Sequence, residues 1–174
     1  MKAPLCILCL LVATDGSANW DKKVAQVCNS FSQSLYQNIA VNGCENSIYS
    51  PLSIHQALSM VTLGARGDTA AELSRVLGLS QIPSRPNQPQ ASYLEVIQQL
   101  RQVPHVEILT VNAIFVNPST EIKADFTNNV TKFYQAEVSS FDLISPGGPE
   151  RHINRFVYSK TKGLIKTVLT PGRE

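Results

Sequence analysis

The sequence predicts an α+β fold in which helices form the majority and only the first strands of a larger sheet are present. Apolar residues recur at helical spacing in six separate stretches, and in two others they follow the alternation typical of strands. The longer strand, 106–116, is apolar on much of both faces, which is typical of a sheet covered on both sides. Two strands do not make such a sheet, so the predicted fold is incomplete.

Length and composition limit the class of protein. The chain has 174 residues, of which 43% are hydrophobic and 16% charged, and this is the globular range. The net charge of +2 is close to neutral and the basic residues are scattered, so we expect no nucleic-acid partner. No stretch after the N-terminus is apolar enough to span a membrane, so we expect no membrane anchor.

The first 18 residues predict a secretory signal peptide. Lys2 supplies a positive charge, an apolar run extends from Leu5 to Ala13, and the small residues 16–18 suit signal peptidase. The run is much shorter than the roughly 20 residues of a membrane-spanning helix. We therefore expect cleavage near Ala18, secretion to the extracellular space, and one folded portion over 19–174. The alternative is a buried N-terminal core segment.

Removal of that leader changes the cysteine count. Cys6 and Cys9 leave with it, and Cys28 and Cys44 remain. In an oxidising compartment these two residues form either a disulfide or two buried thiols. Sequence does not specify the Cα separation that a disulfide needs, so both alternatives stay open.

The first two predicted helices differ in their apolar faces. The stretch from Trp20 to about Ala40 carries an amphipathic stripe. The second helix starts at Ser50 and Pro51, because Ser is favoured as an N-cap and Pro at the first helical position. It extends to Gly64 with apolar residues on nearly all sides, which predicts a central, buried helix.

Two further helices follow before the long strand. Thr69 and Glu72 have the spacing of a capping box, and Gly78 stands where a left-handed C-cap is expected. The proline-rich stretch 83–89 predicts a surface loop, and a helix over 93–103 ends at Pro104.

After the strand 106–116, the pattern returns to helical spacing over 122–133. Residues 137–143 predict the second strand, and 146–149 form a turn cluster. A last helix around Ile153 ends at residues 162–163.

Four blocks of this sequence resemble the serpin family in order and spacing. The first contains the pattern Asn-x-x-x-Ser-Pro-x-Ser-Ile, then an apolar helix, then Leu-Gly-Ala-x-Gly-x-Thr. The blocks are Asn46 to Leu73, Val111 to Val116, Phe133 to Val138 and Ile153 to Ile165. They cover essentially everything after the leader, so the resemblance implies the N-terminal helices and the first strands of the large central sheet of a serpin-type multi-domain fold.

The resemblance implies roles for three polar residues. Asn46, Ser50 and Ser53 match the polar residues of the serpin shutter, which lies beneath the sheet where it opens. From the residues alone, Ser50 is a helix cap and Ser53 a buried hydroxyl that needs a partner. The alternative is local capping and turn chemistry for all three. Their implied role is structural, and no catalytic residue is expected.

The resemblance also implies a function. Serpins offer a reactive loop near the C-terminus to a target protease, and the cleaved loop inserts into the central sheet as a new strand. No part of residues 1–174 corresponds to that loop, so we expect this chain by itself not to inhibit. The expected activity of the full-length form is inhibition of an extracellular serine protease. The alternatives are a non-inhibitory serpin (carrier, storage protein or chaperone) and a truncated product with no inhibitory role.

Few other motifs indicate a site. Asn129-Val-Thr is a candidate glycosylation sequon. His55, His105 and His152 have no ligands at metal-binding spacing, so no metal is expected. No hydrolase or phosphate-loop motif is present, so neither an enzyme nor a cofactor is expected. Some serpins bind heparin through the helix that we place at 90–103, but here Arg101 is its one basic residue, and heparin binding is not indicated.

Overall fold

The computed structural model describes residues 20–39, 48–82, 90–105, 107–140 and 148–170. These residues belong to two compact units, an N-terminal unit up to Val96 and a C-terminal unit from Ile97. The helices are α1 (Trp20–Ile39), α2 (Pro51–Gly64), α3 (Gly67–Val76), α4 (Ala91–Arg101), α5 (Ala124–Tyr134) and α6 (Gly148–Lys160), with a short 3₁₀ helix at Leu79–Gln81. The strands are β1 (Ala113–Val116) and β2 (Glu137–Ser140).

Helix α1 confirms the amphipathic stripe expected between Trp20 and Ala40. Of the apolar side chains that recur at three- and four-residue steps, Val24, Val27 and Phe31 are buried, whereas Leu35 is half-buried and Ile39 is exposed. The stripe is therefore a buried face only over the first half of the helix, which is the part that meets the core of the N-terminal unit. The buried residues of this face are Val24, Val27, Cys28 and Phe31.

Helix α2 begins as predicted, with Ser50 in extended conformation at the N-cap and Pro51 in the first turn. The expectation that it is buried on nearly all sides is wrong for the described residues, because Ala57 and Val61 are exposed. The buried face instead contains polar residues. Its members are Pro51, Leu52, His55, Gln56, Ser59 and Met60.

Helix α3 begins two residues before the predicted capping box. Arg66 occupies the N-cap position without a side-chain cap, and Thr69 therefore lies within the first turn instead of before it. The capping-box prediction is wrong, because the helix already begins at Gly67, whose φ of 58° is open to glycine. The C-terminal prediction is confirmed, since Gly78 adopts the left-handed conformation with φ 62° and ψ 26°.

Helix α4 ends at Arg101, two residues before the predicted end at Val103. Its inward face is the expected one, with Tyr93, Val96 and Ile97 almost completely buried. The predicted loop 83–89 lies outside the described residues.

The two strands pair in parallel, with Ala113 opposite Glu137 and Val116 opposite Ser140. The long strand predicted over 106–116 is wrong in extent, because among its described residues, 107–116, only the last four are strand. A strand requires hydrogen-bonded neighbours, and β2 supplies only four partner positions. The second predicted strand is confirmed over Glu137–Ser140, and 141–147 lie outside the described residues.

Helices α5 and α6 complete the C-terminal unit. The end of α5 is closed by Gln135 in left-handed conformation and by a hydrogen bond of 3.3 Å from the Ala136 N–H to the Val130 carbonyl. Helix α6 begins at Gly148, so the last residues of the predicted turn cluster 146–149 belong to a helix. It ends at Lys160, two residues before the predicted end, and Lys162 and Gly163 form the turn that follows, with φ of 53° and 81°.

Candidate functional residues in each unit

The two serines at the start of α2 form a local pair. The Ser53 N–H donates to Ser50 Oγ at 3.3 Å, and the two hydroxyls share a hydrogen bond of 2.9 Å. The cap predicted for Ser50 is therefore confirmed. The prediction of a buried hydroxyl at Ser53 is wrong, because Ser53 lies on the same exposed face of α2 as Ala57 and Val61. Asn46, the third shutter residue, lies outside the described residues.

One turn further along α2, His55 is completely buried in the N-terminal unit. Its Nε2 lies 2.9 Å from the Leu77 carbonyl oxygen, and its Nδ1 lies 2.8 Å from the Tyr93 hydroxyl. The ring of Phe31 contacts it edge to face, with centroids 5.3 Å apart. His55 therefore joins α2 to α1, to the end of α3 and to α4.

These contacts determine the proton positions on the imidazole of His55. A carbonyl oxygen only accepts hydrogen bonds, so Nε2 carries the hydrogen that is donated to Leu77. In the neutral ring Nδ1 then accepts the hydroxyl hydrogen of Tyr93. Burial lowers the pKa of His55 below its ordinary value of 6.5, and the Leu77 carbonyl opposes this shift without cancelling it.

The connecting role of His55 was not predicted from the sequence, which indicated only that its histidines do not form a metal site. A signal was available, because Leu52, His55, Gln56, Ser59 and Met60 follow helical spacing on one face. Polar residues within such a stripe are expected to find buried hydrogen-bond partners.

In the C-terminal unit, Asn112 connects the residues before β1 to the end of α5. Its side-chain amide donates to the Tyr134 carbonyl at 2.8 Å, and its own carbonyl accepts from the Glu137 N–H at 3.1 Å. Asn112 therefore holds β2 beside β1 at the point where the parallel ladder begins. This residue belongs to the second of the serpin-like blocks.

Asn154 has a similar role on α6. Its Oδ1 accepts from the N–H groups of Val168 and Leu169 at 2.8 and 3.0 Å, and its Nδ2 donates to the Leu169 carbonyl at 2.7 Å. Thr161 adds a second connection, since its hydroxyl accepts from the Ile165 N–H at 3.1 Å. The chain after α6 is therefore held along this helix by polar residues of the fourth block.

Two cavities lie in the C-terminal unit. The larger, of about 800 Å³, is lined by residues 107–112 together with charged groups of α4, β2 and α6. Two ion pairs stand at or next to it, Lys160 with Glu137 and Lys162 with Glu107. The smaller, of about 330 Å³, is apolar and lies between α6 and the β1 segment. Its lining includes Leu109, Val111, Phe115, Phe156, Val157 and Ile165.

The remaining predicted sites are dispersed. Asn129 is half-buried on α5, next to the completely buried Val130. Cys28 is buried on α1, and Cys44 lies outside the described residues. Arg101 is exposed in the last turn of α4.

The described residues contain neither a candidate metal site nor a candidate membrane-spanning helix. In that part of the chain no three His, Cys, Asp or Glu side chains are grouped closely enough to hold a metal ion. Within the same residues no helix combines the length and the apolar character needed to cross a membrane.

The order of helices and strands defines the fold class. A helix-rich unit followed by two parallel strands and a helix that packs on them is an incomplete α+β fold. The family model described as serpin (serine protease inhibitor) matches residues 26–173. The chain therefore belongs to the serpin family, whose members are protease inhibitors or related proteins and not enzymes.

Individual relatives agree with this assignment. Serpin B6 of Pongo abelii is 31% identical over 86% of this chain, and a leukocyte elastase inhibitor of Xenopus tropicalis is 33% identical over 87%. In both cases the chain spans 40% of the length of the relative. The match confirms the N-terminal portion of the fold that the resemblance implied.

Solved structures show the same fold. Mouse protein-Z-dependent protease inhibitor superposes with a TM-score of 0.79 at 20% identity, over 88% of this chain and 41% of that structure. Human thyroxine-binding globulin, solved as a ligand complex, gives a TM-score of 0.75 at 28% identity, over 90% of this chain and 42% of that structure.

Proposed function

We propose that this chain is the N-terminal portion of a secreted inhibitor of extracellular serine proteases. The observation that carries the proposal is the family match over residues 26–173, together with relatives named as protease inhibitors at 30% identity or more. The reactive loop belongs to the longer form, because this chain spans 40% of the length of Serpin B6 and of the leukocyte elastase inhibitor.

In that longer form, three polar residues of this chain are assigned, by resemblance to the family, to the region beneath the sheet where it opens. Ser50, Ser53 and Asn46 serve as shutter residues beneath the sheet, and β1 and β2 form one side of it. Two contacts support this assignment. The serine hydroxyls are exposed and adjacent, so they are accessible to polar groups of the remaining fold. Asn112 independently anchors the β1–β2 pair to α5.

The test is complex formation with proteases. The full-length polypeptide is recovered from its transcript, expressed in secreting cells and incubated with elastase, chymotrypsin and trypsin. Complexes that resist SDS are expected with at least one of them, because the acyl bond to the protease is covalent. The 174-residue chain serves as the control. Cleavage of the full-length form without any SDS-resistant complex would contradict inhibition.

The shutter assignment has its own experiment. Ser53→Ala in the full-length inhibitor removes one hydroxyl and is expected to raise the stoichiometry of inhibition. If insertion of the cleaved loop is slowed, hydrolysis of the acyl bond releases more of the protease before it is trapped. Ser34→Ala is the matched control, because Ser34 is an exposed serine of α1 that bonds only within its own helix in the described structure. Equal stoichiometry for both variants would show that Ser53 acts only in local capping.

A carrier function is the second candidate, and two observations favour it. Thyroxine-binding globulin is among the structural relatives, at 28% identity. The C-terminal unit contains the apolar cavity of about 330 Å³, within the size range of small-molecule sites. Displacement of an apolar fluorescent dye tests it. Phe156→Ala changes the lining of the cavity and is expected to weaken dye binding. Tyr158→Ala changes an exposed side chain and is expected to leave dye binding unchanged. Equal dye affinities of the two variants would show that this cavity is not the dye-binding site.

Secretion and modification are part of the proposal. N-terminal sequencing of protein from the culture medium is expected to begin near Asn19, the residue after the expected cleavage site. Glycosidase treatment is expected to shift the mobility of the wild type but not of Asn129→Gln. Thiol labelling of the denatured, unreduced protein decides between a Cys28–Cys44 disulfide and two thiols.

A further inference from the structure

His55 is an ionisable side chain in the core of the N-terminal unit, and protease inhibition assigns it no role. We propose that it is a pH-sensitive anchor: when it takes up a second proton in mildly acidic solution, the hydrogen-bonded connection between α2, α3 and α4 breaks and the unit loosens. The proposal rests on the placement of one imidazole between three elements. It does not depend on the inhibitory function.

In the neutral imidazole of His55, both ring nitrogens have a hydrogen-bond partner of the matching kind. Nε2 donates to the Leu77 carbonyl at 2.9 Å, and Nδ1 accepts from the Tyr93 hydroxyl at 2.8 Å. Leu77 follows the last residue of α3, and Tyr93 lies in the first turn of α4. The two ring nitrogens therefore connect α2 to residues 22 and 38 positions further along the chain.

In the protonated imidazole of His55, the hydrogen bond to Tyr93 is no longer matched. A proton from solvent adds to the lone pair of Nδ1, which then points its N–H at the Tyr93 hydroxyl. The Tyr93 hydroxyl can accept this hydrogen bond from Nδ1 only if its own hydrogen rotates away from the imidazole. Neither ring nitrogen faces a carboxylate, since both partners are neutral groups. Within the described residues, the positive charge is thus buried without a hydrogen-bonded counter-ion, which is costly at a site with no solvent exposure.

The other ionisable groups on the packed elements do not remove this cost. Among the described side chains of α1, Cys28 is buried, Lys22 is exposed, and Lys23 and Tyr36 are half-buried, with the Lys23 ammonium donating to Gln26. On α3, Glu72 and Arg75 form an exposed ion pair with each other. On α4, besides Tyr93, Glu95 is half-buried.

The direction of the pH effect follows from these contacts. Burial lowers the pKa of His55 in the folded state below its ordinary value of 6.5, which the unfolded chain retains. Between these two pKa values the unfolded state binds more protons than the folded state. The stabilisation from neutral His55 is therefore fully present above about pH 6.5 and is lost as the pH falls towards the folded pKa.

Urea unfolding of the full chain between pH 7.5 and 5 measures this effect. For the wild type, the unfolding equilibrium constant is expected to rise by up to about tenfold per pH unit below pH 6.5, which is the effect of one proton. His55→Gln preserves a donor and an acceptor but does not titrate, so its curve is expected to be flatter by that amount. His152→Gln, which removes an exposed histidine, is the matched control and is expected to follow the wild type.

Nitrogen NMR of labelled wild-type protein keeps the proposal testable if His55→Gln does not fold. The expected spectrum at pH 7.5 shows a neutral imidazole with its hydrogen on Nε2, and protonation of that ring coincides with loss of the folded signals. Two results would overturn the proposal: a wild type and His55→Gln with equal pH slopes, or a His55 ring that becomes cationic while the unit stays folded.

Discussion

Helix α2 and strand β1 both have apolar sequences, but they differ in how completely their side chains are buried. Helix α2 is divided into a buried and an exposed face, and the buried face satisfies its polar residue His55 through Leu77 and Tyr93. All four residues of β1 are half-exposed. A helix satisfies its backbone internally and needs only one covered face, whereas a strand needs neighbours at both edges and on both faces. The N-terminal portion of this fold can therefore complete its helices but not its sheet.

The largest expected effect tests whether the N-terminal unit is closed around His55. Tyr93→Ala removes a completely buried ring and leaves His55 Nδ1 without its donor, so we expect a loss of about 3–5 kcal/mol in the free energy of unfolding. Urea unfolding followed by circular dichroism measures it. Tyr158→Ala, on a ring that is 50% exposed, is the control, and equal losses for the two would remove the contrast between a closed and an open region.

A glycine pair tests the packing of the same unit. Gly78→Ala is expected to cost about 2–3 kcal/mol, because it forces a left-handed residue and places a Cβ 3.1 Å from Val27 Cγ1. Gly67→Ala also has a positive φ but meets no atom within 4 Å, so only the backbone cost of about 1 kcal/mol is expected. The difference between the two thermal midpoints isolates the contact between Gly78 and α1. No difference would mean that this contact is loose.

The third prediction concerns the C-terminal unit. Asn154→Ala removes three hydrogen bonds to Val168 and Leu169, and we expect a loss of about 1–2 kcal/mol, since the site is partly exposed. Hydrogen exchange of the amides of those two residues is expected to accelerate with little change elsewhere. Asn38→Ala, which removes a bond within α1, is the control. Unchanged exchange at Val168 would show that Asn154 does not hold this segment.

The smallest effect is expected at the start of α2. Ser50→Ala removes the N-cap acceptor and is expected to cost about 1 kcal/mol. Ser53→Ala keeps the capped N–H and loses only the bond between the two hydroxyls, so it is expected to cost less. Urea midpoints of the two variants measure the difference. A larger loss for Ser53→Ala would indicate that its hydroxyl contributes more than the cap.

Several features of the fold followed from sequence alone. The stripe of α1, the start of α2 at Ser50 and Pro51, and the left-handed Gly78 were predicted and are observed. These signals act within one or two turns of the chain, because helical spacing, capping and positive φ depend on neighbouring residues. The serpin family was likewise identified from residue types and their spacing, which require no knowledge of tertiary contacts.

Tertiary structure decided what depends on residues far apart. The strand predicted over 106–116 shortened to four residues because its length depends on β2, which begins more than 20 positions after it. His55 became the anchor of the N-terminal unit because its partners Leu77 and Tyr93 meet it only after folding. Ser53 is exposed because packing covers the face of α2 that carries Leu52 and His55 and leaves the face of Ser53 and Ala57 in solvent. Local chemistry therefore determined the start of α2 and the left-handed turn after α3, and long-range packing determined which polar groups of these helices are buried and paired.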